Sequence, residues 1–339
     1  MIEKDYPIDF VVTWVDGNDP VWQAEKAKYS PNKNADNRNV RFRDWDNMQY
    51  WFRAVEKFAP WVNKIHFVTY GHLPKWLNID NPKLNIAKHS DFIPQKYLPT
   101  FSSQPIELNL HRINGLAERF VYFNDDMFLL RPVKRELFFA GKDCLPTDFA
   151  ITSTISTTTK EDMMPFIKLN CVTILNGHFD KKEQMKKHFS KWVNLAYGWN
   201  ALRNLIFYGQ HRFKGFANNH LAFSFLKSEY EDIWEKEYES LDDTSSHKFR
   251  SKLDLDNWLI RYWQLTRGNF YPIGRHVKGK VYEIYNGVEQ NQELFKSIEN
   301  QAMPMICIND NDNVDFEPMK ERIKQAFDKI LPEKSSFEK

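Results

Sequence analysis

Cysteine is scarce. Cys144, Cys171 and Cys307 are the three in 339 residues, widely spaced and with no C-x-x-C pair. That excludes a disulfide framework and a clustered structural zinc site, and it fits a reducing compartment. Long apolar runs are also missing: nowhere do about 18 apolar residues follow one another, as a membrane span needs. The opening Met1-Ile2-Glu3-Lys4-Asp5 has no basic stretch leading into an apolar core, so no secretory leader is readable. The expectation is a cytoplasmic protein, with peripheral contact at the inner face of the cell membrane left open. Neither charge dominates, because 47 Lys and Arg nearly cancel 45 Asp and Glu, for a net +2. The basic excess of a nucleic-acid binder is therefore absent. Among the 12 glycines there is no G-x-G-x-x-G, Walker loop or G-x-S-x-G elbow, which removes the main support for a dehydrogenase, kinase or serine hydrolase.

What is present is a large core and oxygen-bearing strand ends. A composition 42% hydrophobic and 15% aromatic suffices for a folded globular protein of this length. Phe120-Val121-Tyr122-Phe123 reads as a buried strand that stops on Asn124-Asp125-Asp126. Paired carboxylates at the C-terminal edge of an open α/β sheet suit Mg²⁺ or Mn²⁺, and the same residues also suit an ordinary Asx turn. Residues 10–15 form a second β-rich run, closed by Asp16-Gly17-Asn18-Asp19-Pro20. There the glycine would let backbone approach a ligand.

The first third alternates strand-like and helix-like segments, the pattern of βαβ units. Asp44 is placed to cap a helix running to about 58, with Met48, Trp51, Phe52, Val55 and Phe58 on one stripe. Strands are expected at 65–70 and 84–87, and a helix over 102–116 with Ser102 or Ser103 as its cap. Residues 152–160 read as a mobile polar loop. Helices are expected over most of 170–264, clearest at 220–239 and 255–265. A hairpin follows beyond Pro272, then a last helix presenting Met319, Ile323, Ala326, Phe327 and Ile330 until Pro332. The cluster Lys181, Lys182, Lys186, Lys187, His188 and Lys191 is either a solvated face or a contact for anionic lipid or a phosphorylated glycan.

With these residues set out, the chain resembles the Stealth family of sugar-phosphate transferases. The likeness runs through four blocks. The first is Asp9-Phe10-Val11-Val12-Thr13-Trp14-Val15-Asp16-Gly17-Asn18-Asp19. The second runs from Arg41-Phe42-Arg43-Asp44 through Leu98-Pro99-Thr100-Phe101-Ser102-Ser103, Ile106-Glu107 and His111-Arg112-Ile113 to Asn124-Asp125-Asp126-Met127-Phe128. The third holds His220 and Ser246-His247-Lys248-Phe249-Arg250, and the fourth is Cys307-Ile308-Asn309-Asp310-Asn311. The chain departs from the family in the first helix, where relatives usually read Glu-Leu-Arg-Tyr and this chain has Asn47-Met48-Gln49-Tyr50. No role is assigned to Asn47 or Gln49 for that reason.

The resemblance implies an α/β fold: a Rossmann-like nucleotide-sugar-binding core with a mainly parallel sheet over 1–165, and a mostly helical part, 166–339, completing the same site. It implies transfer of a hexose-1-phosphate, in the first instance an N-acetylhexosamine-1-phosphate, from a UDP-sugar to an oligosaccharide or polysaccharide acceptor. Chemistry of that kind rests on positioning and on neutralising phosphate charge. Asp125 and Asp126 are assigned to the metal, Mg²⁺ or Mn²⁺. His220, Asp126 and Arg250 are assigned to catalysis, with His220 as base and Arg250 as a forked donor to phosphate. Trp14, Asp16, Gly17, Asn124, His111 and Arg112 are assigned to the donor, and Asn309-Asp310-Asn311 either completes the site or forms a turn. A metal-dependent glycosyltransferase using the same donor, or a glycan-binding module built on 11 Trp and 14 Tyr, are the alternatives.

Overall fold

The computed structural model describes residues 6–30, 43–157, 159, 162–311 and 313–339. Residues 1–5, read above for a leader, lie outside the described residues, as do Arg41 and Phe42 of the second block and Thr158 and Lys160 of the polar loop. The described strands are β1 (Ile8–Thr13), β2 (Ile65–Thr69), β3 (Leu84–Lys88), β4 (Arg119–Phe123), β5 (Met127–Leu129), β6 (Phe139–Ala140), β7 (Leu145–Asp148), β8 (Phe223–Leu226), β9 (Tyr271–Pro272), β10 (Gly279–Glu283) and β11 (Met305–Asn309). The central sheet has the order β3-β2-β1-β4-β8, parallel from β3 to β4, with β8 antiparallel at the edge. This is the expected Rossmann-like α/β core.

Apolar runs rather than alternating patterns make these strands because both faces of the sheet are covered. Along β1, Phe10 and Val12 enter one core and Val11 the other. The first core holds the helix Met48–Phe58 and the last helix, Phe316–Ile330. The second holds the helices Met164–His178, Lys227–Lys236 and Asn257–Thr266. The stripe Met48, Trp51, Phe52, Val55, Phe58 is buried as the spacing predicts, and so are Met319, Ile323, Ala326, Phe327 and Ile330.

Several expectations are corrected. Asp44 caps no helix: its carboxylate accepts from the Asp46 N–H (2.8 Å), and the helix starts at Met48 without a side-chain cap. The helix expected over 102–116 stops at Leu108, with a 3₁₀ turn at Leu110–Arg112. Asn109 breaks it, since its side chain donates to the Pro105 carbonyl (2.8 Å), the acceptor its own backbone N–H would use. Ser102 donates to Gln104 Oε1 (2.5 Å) and caps nothing. The helix expected at 220–239 begins only at Lys227, because Phe223–Leu226 is strand β8. Nor is there a hairpin after Pro272: β10 and β11 run parallel with the helix Gln292–Glu299 between them, and β5 pairs antiparallel to β11. The polar loop is anchored at its start, where buried Thr152 bridges Phe216. Both β8 and the β10–β11 pair come from beyond residue 165, so strands from the two halves of the chain share the same sheets.

Candidate functional site

The strand order reverses between β1 and β4, with β2 and β3 on one side and β4 on the other. Such a switch point opens a crevice beyond the carboxyl ends of the two strands. Val12 is registered with Phe123, so Trp14 to Asp16 and Asn124 to Asp126 leave the sheet side by side. Because β8 is antiparallel to β4, with Tyr122 opposite Phe223, the residues just before β8 arrive at the same edge. That brings in His220.

His220 Nε2 lies 3.4 Å from Asp126 Oδ2 and 3.5 Å from Asn124 Nδ2. Buried Cys307, on β11, donates its thiol to Asp126 Oδ2 (3.2 Å), and the Ile308 N–H donates to the Asp126 carbonyl (2.8 Å). Donor atoms of Asp126, His220 and Cys307 all lie within 4.8 Å of one another. Desolvation pulls the imidazole toward its neutral form, but the charge and hydrogen bond of Asp126, with Glu107 beyond, outweigh it and raise the His220 pKa. Burial and the Asp126 charge push the Cys307 thiol up, keeping it a thiol and therefore a donor.

Asp125 is open to solvent yet ringed by protein that displaces bulk water. This desolvation, with the negative charges of Asp126 and Asp44, pushes its carboxyl up to about 7. Burial also raises Asp44, with Asp46 and Asp16 adding to the effect, so carboxylates from three separate segments meet at this edge. Asp126 Oδ1 has no hydrogen-bond partner among the described residues. An unmatched negative cluster with an unused carboxylate oxygen fits a divalent cation. The neutral thiol of Cys307 is a poor ligand for a hard ion, so its place is behind Asp126.

A second group lies behind the first. Glu107 is buried, which raises its pKa, while Arg250, Ser103, the Asn257 backbone and His220 pull it back. Arg250 donates to Gln104 Oε1 and Ser103 Oγ, each at 3.3 Å. Tyr122 Oη reaches Glu107 Oε1 (3.4 Å) and Thr13 Oγ1 (3.2 Å), tying this group to the ends of β1 and β4. Lys168, on the helix Met164–His178, is within electrostatic reach of both His220 and Asp256. Glu107 thus connects His220 with Arg250.

The assigned donor residues divide. Trp14 stacks on Phe67 (ring centroids 5.6 Å apart) as a core residue, but its indole N–H has no partner among the described residues and lies at the right edge. The Asp16 N–H donates to His72 Nε2 (2.8 Å), and the Gly17 carbonyl accepts from Gln23 Nε2 (2.7 Å). His111 and Arg112 are not brought to the Asp pair, contrary to expectation. His111 stacks on Tyr230, and burial drives its pKa down to about 3; Arg112 lies over Trp234. With Lys227, Glu231 and Tyr238 they line a separate cleft of about 620 Å³. Lys227 bonds to the Glu118 carbonyl at the start of β4, so this cleft belongs to the opposite edge of the sheet. The cause is the break at Asn109, which takes these residues out of phase with Glu107. Asp310 is held by Arg43 (2.6 and 3.0 Å) and Trp45 Nε1 (3.0 Å), a clamp between the second and fourth blocks.

The sequence reading did not single out Lys168 or the Cys307 thiol. A lysine in a mostly apolar helix carries no local sign of its partner. Cys307 did stand in a matched block.

Residues 41–145 match the family model described as Stealth protein CR2, conserved region 2, and residues 6–34 match Stealth protein CR1, conserved region 1. Over 337 residues the chain is 42% identical to a capsular polysaccharide phosphotransferase, WcwK, of Streptococcus pneumoniae, covering 98% of each chain. Over 345 aligned positions it is 41% identical to the receptor polysaccharide phosphotransferase WefC of Streptococcus gordonii, covering 100% of both. Among solved structures, the galactosyltransferase LgtC in complex with donor and acceptor sugar analogs shares 9% identity at a TM-score of 0.37, over 95% of this chain and 96% of that one. That likeness is too loose to carry any detail across. Among the described residues no helix is long and apolar enough to cross a membrane.

Proposed function

The chain belongs to the Stealth family, and on that premise we propose that it transfers a hexose-1-phosphate, in the first instance an N-acetylhexosamine-1-phosphate, from a UDP-sugar to a hydroxyl of an acceptor glycan. The product is a phosphodiester in a capsular or cell-wall polysaccharide, and UMP leaves. The reaction would take place inside the cell. The observation that carries this reading is the meeting of Asp126, His220 and Asn124 at the switch point, with Glu107 and Arg250 behind them.

Asp125 and Asp126 are the residues that would hold Mg²⁺ or Mn²⁺. When bound, such an ion neutralises diphosphate charge and eases departure of UMP. The acceptor hydroxyl oxygen bonds to the sugar-bearing phosphorus while the bond from that phosphorus to the bridging oxygen breaks, its electron pair leaving with UMP. His220 takes the hydroxyl proton, a task suited to an imidazole made more basic by Asp126. Asn124 and the Cys307 thiol hold this pair in place, and Arg250 and Lys168 supply cationic donors for phosphate oxygens.

The test is a UDP-sugar labelled at the sugar-bearing phosphorus, incubated with acceptor glycan and Mg²⁺. UMP release with label in the glycan is expected. UDP release with an unlabelled glycan would mean attack at the sugar carbon and a glycosyltransferase instead. Chelation should stop turnover, and Mg²⁺ or Mn²⁺ should raise the melting temperature of the wild type but not of Asp126→Asn.

A further inference from the structure

The helix Trp199–Ile206 is amphipathic in the wrong sense for a protein surrounded by water. Its inward residue is polar: Asn204 is fully buried, donating to the Ala150 and Trp192 carbonyls (2.5 and 2.6 Å) and accepting from the Thr152 N–H (2.8 Å). Apart from Arg203, its exposed residues are apolar. Trp199 is 89% and Ile206 70% exposed, with Leu202 and Leu205 about half exposed, and Leu195 in the preceding turn is 95% exposed. Isolated exposed apolar side chains are ordinary, but a contiguous set on one helix and its turn marks a surface that meets something less polar than water.

The charge around it says what that is. Residues 181–214 contain eight Lys and Arg against a single Glu, in a chain whose total is only +2. Lys182, Lys186, Lys187, Arg203, Arg212 and Lys214 are exposed. The basic helix Lys181–Lys187 is fixed beside the apolar one, since buried Lys181 donates its ammonium to the Phe207 carbonyl (2.8 Å) and its N–H to the His211 carbonyl (3.0 Å). Exposed Trp and Leu side chains beside clustered cations form the composition of an interfacial, membrane-lying helix.

We propose that this face docks the protein on an anionic lipid surface, with Leu195, Trp199 and Ile206 entering the headgroup region and the surrounding lysines and arginines facing lipid phosphates. The inference does not rest on the transfer chemistry. It does orient the site: Gly274 lies against the Ala196 carbonyl, and Arg275 next to it donates to Asn219 Oδ1 (3.1 Å) and the Asn218 carbonyl (3.2 Å), immediately before His220. The docked face and the segment before the base are therefore joined by a short path, a close backbone contact at Gly274 followed by the hydrogen bonds of Arg275.

Vesicle flotation tests this with the full chain on pure phosphatidylcholine and on phosphatidylcholine containing about one third phosphatidylglycerol. Wild type is expected to float with the anionic vesicles and to be released by high salt. Leu195→Ser/Trp199→Ser/Ile206→Ser, and separately Lys182→Gln/Lys186→Gln/Lys187→Gln, should each lower the partition coefficient by about tenfold or more. Because these side chains are exposed, the melting temperatures of both variants should match wild type, which keeps loss of binding distinct from loss of fold. Wild type remaining in solution with anionic vesicles would overturn the proposal. So would a light-scattering mass of a dimer that the serine variant halves, since the apolar face would then be covered by a second copy.

Discussion

His220 acquires its role from two neighbours that sequence distance hides. A histidine more than ninety residues from Asp126 comes within 3.4 Å of it because β8 is antiparallel to β4. His220→Ala should lower turnover by about 10²–10⁴-fold while the KM for the donor stays nearly constant, as for loss of a positioned base. Steady-state kinetics would show a structural role instead if KM and melting temperature moved together. Asp256 offers an independent check on the electrostatics behind the site. It caps the helix Asn257–Thr266 through the Trp258 N–H (3.0 Å), and burial first, then the Glu107 charge, pushes its carboxyl up to about 7. A carboxyl with a raised folded-state pKa binds its proton more tightly folded than unfolded. Its contribution to stability is thus full below about pH 4 and is lost as pH rises through about 7. Asp256→Asn keeps a capping oxygen and cannot ionise. Its melting temperature relative to wild type should therefore climb by several degrees between pH 5 and pH 8; a pH-independent difference in calorimetry would contradict this. At this scale motif position pointed to the Asp pair and His220, which the structure brings to one sheet edge, and to Arg250, which it places beside Glu107. The break that removes His111 and Arg112 rests on one side-chain bond from Asn109 to the Pro105 carbonyl, and Lys168 acts on groups far away in sequence, so neither shows as an apolar period.

Elements with long, strongly periodic apolar stripes were legible, and so were the strands expected at 65–70 and 84–87. The helices Met48–Phe58 and Phe316–Ile330 follow from spacing alone. Strand β8 did not, because four residues, Phe223-Ser224-Phe225-Leu226, run straight into a helix and share its apolar content. The helix Asn257–Thr266 is buried on every side and carries Arg261, 1% exposed, whose guanidinium grips Asp148 of β7 with two bonds of 2.8 Å and also holds Asn218 (2.6 Å). That pair fixes the helix to the β7 strand and to the segment leading into His220. Arg261→Leu leaves Asp148 buried without its partner and should cost about 3–5 kcal/mol, read as a lower urea midpoint. Adding Asp148→Leu should recover a good part of the loss, since the penalty is an unpaired buried charge. No recovery in the double variant would show that packing, not charge, dominates there.

Across the whole molecule, the two ends of the chain close one core. The last helix lies against the first long one: Phe327 stacks on Tyr50 (5.3 Å, 16° between planes) and packs on Phe128 (4.9 Å), while Arg53 forms a bidentate pair with Glu338 (2.7 and 2.8 Å). Arg43 reaches Asp310 in the same manner. The first 165 residues lack β8 to cover β4, β11 to pair β5, and the face of Met319, Ile323 and Phe327 that completes their core. Composition and strand order in that segment look like a complete α/β unit, and the dependence on the C-terminal half is carried by pairings too distant in sequence to read. We therefore expect one cooperative unfolding transition for the full chain. Phe327→Ala should lower it by about 3–5 kcal/mol, as for a buried aromatic removed from a core, without splitting it in two. A fragment of residues 1–165 should show no cooperative melt. If calorimetry instead resolves two transitions, and Phe327→Ala shifts only one of them, the halves fold separately and the shared-core account fails.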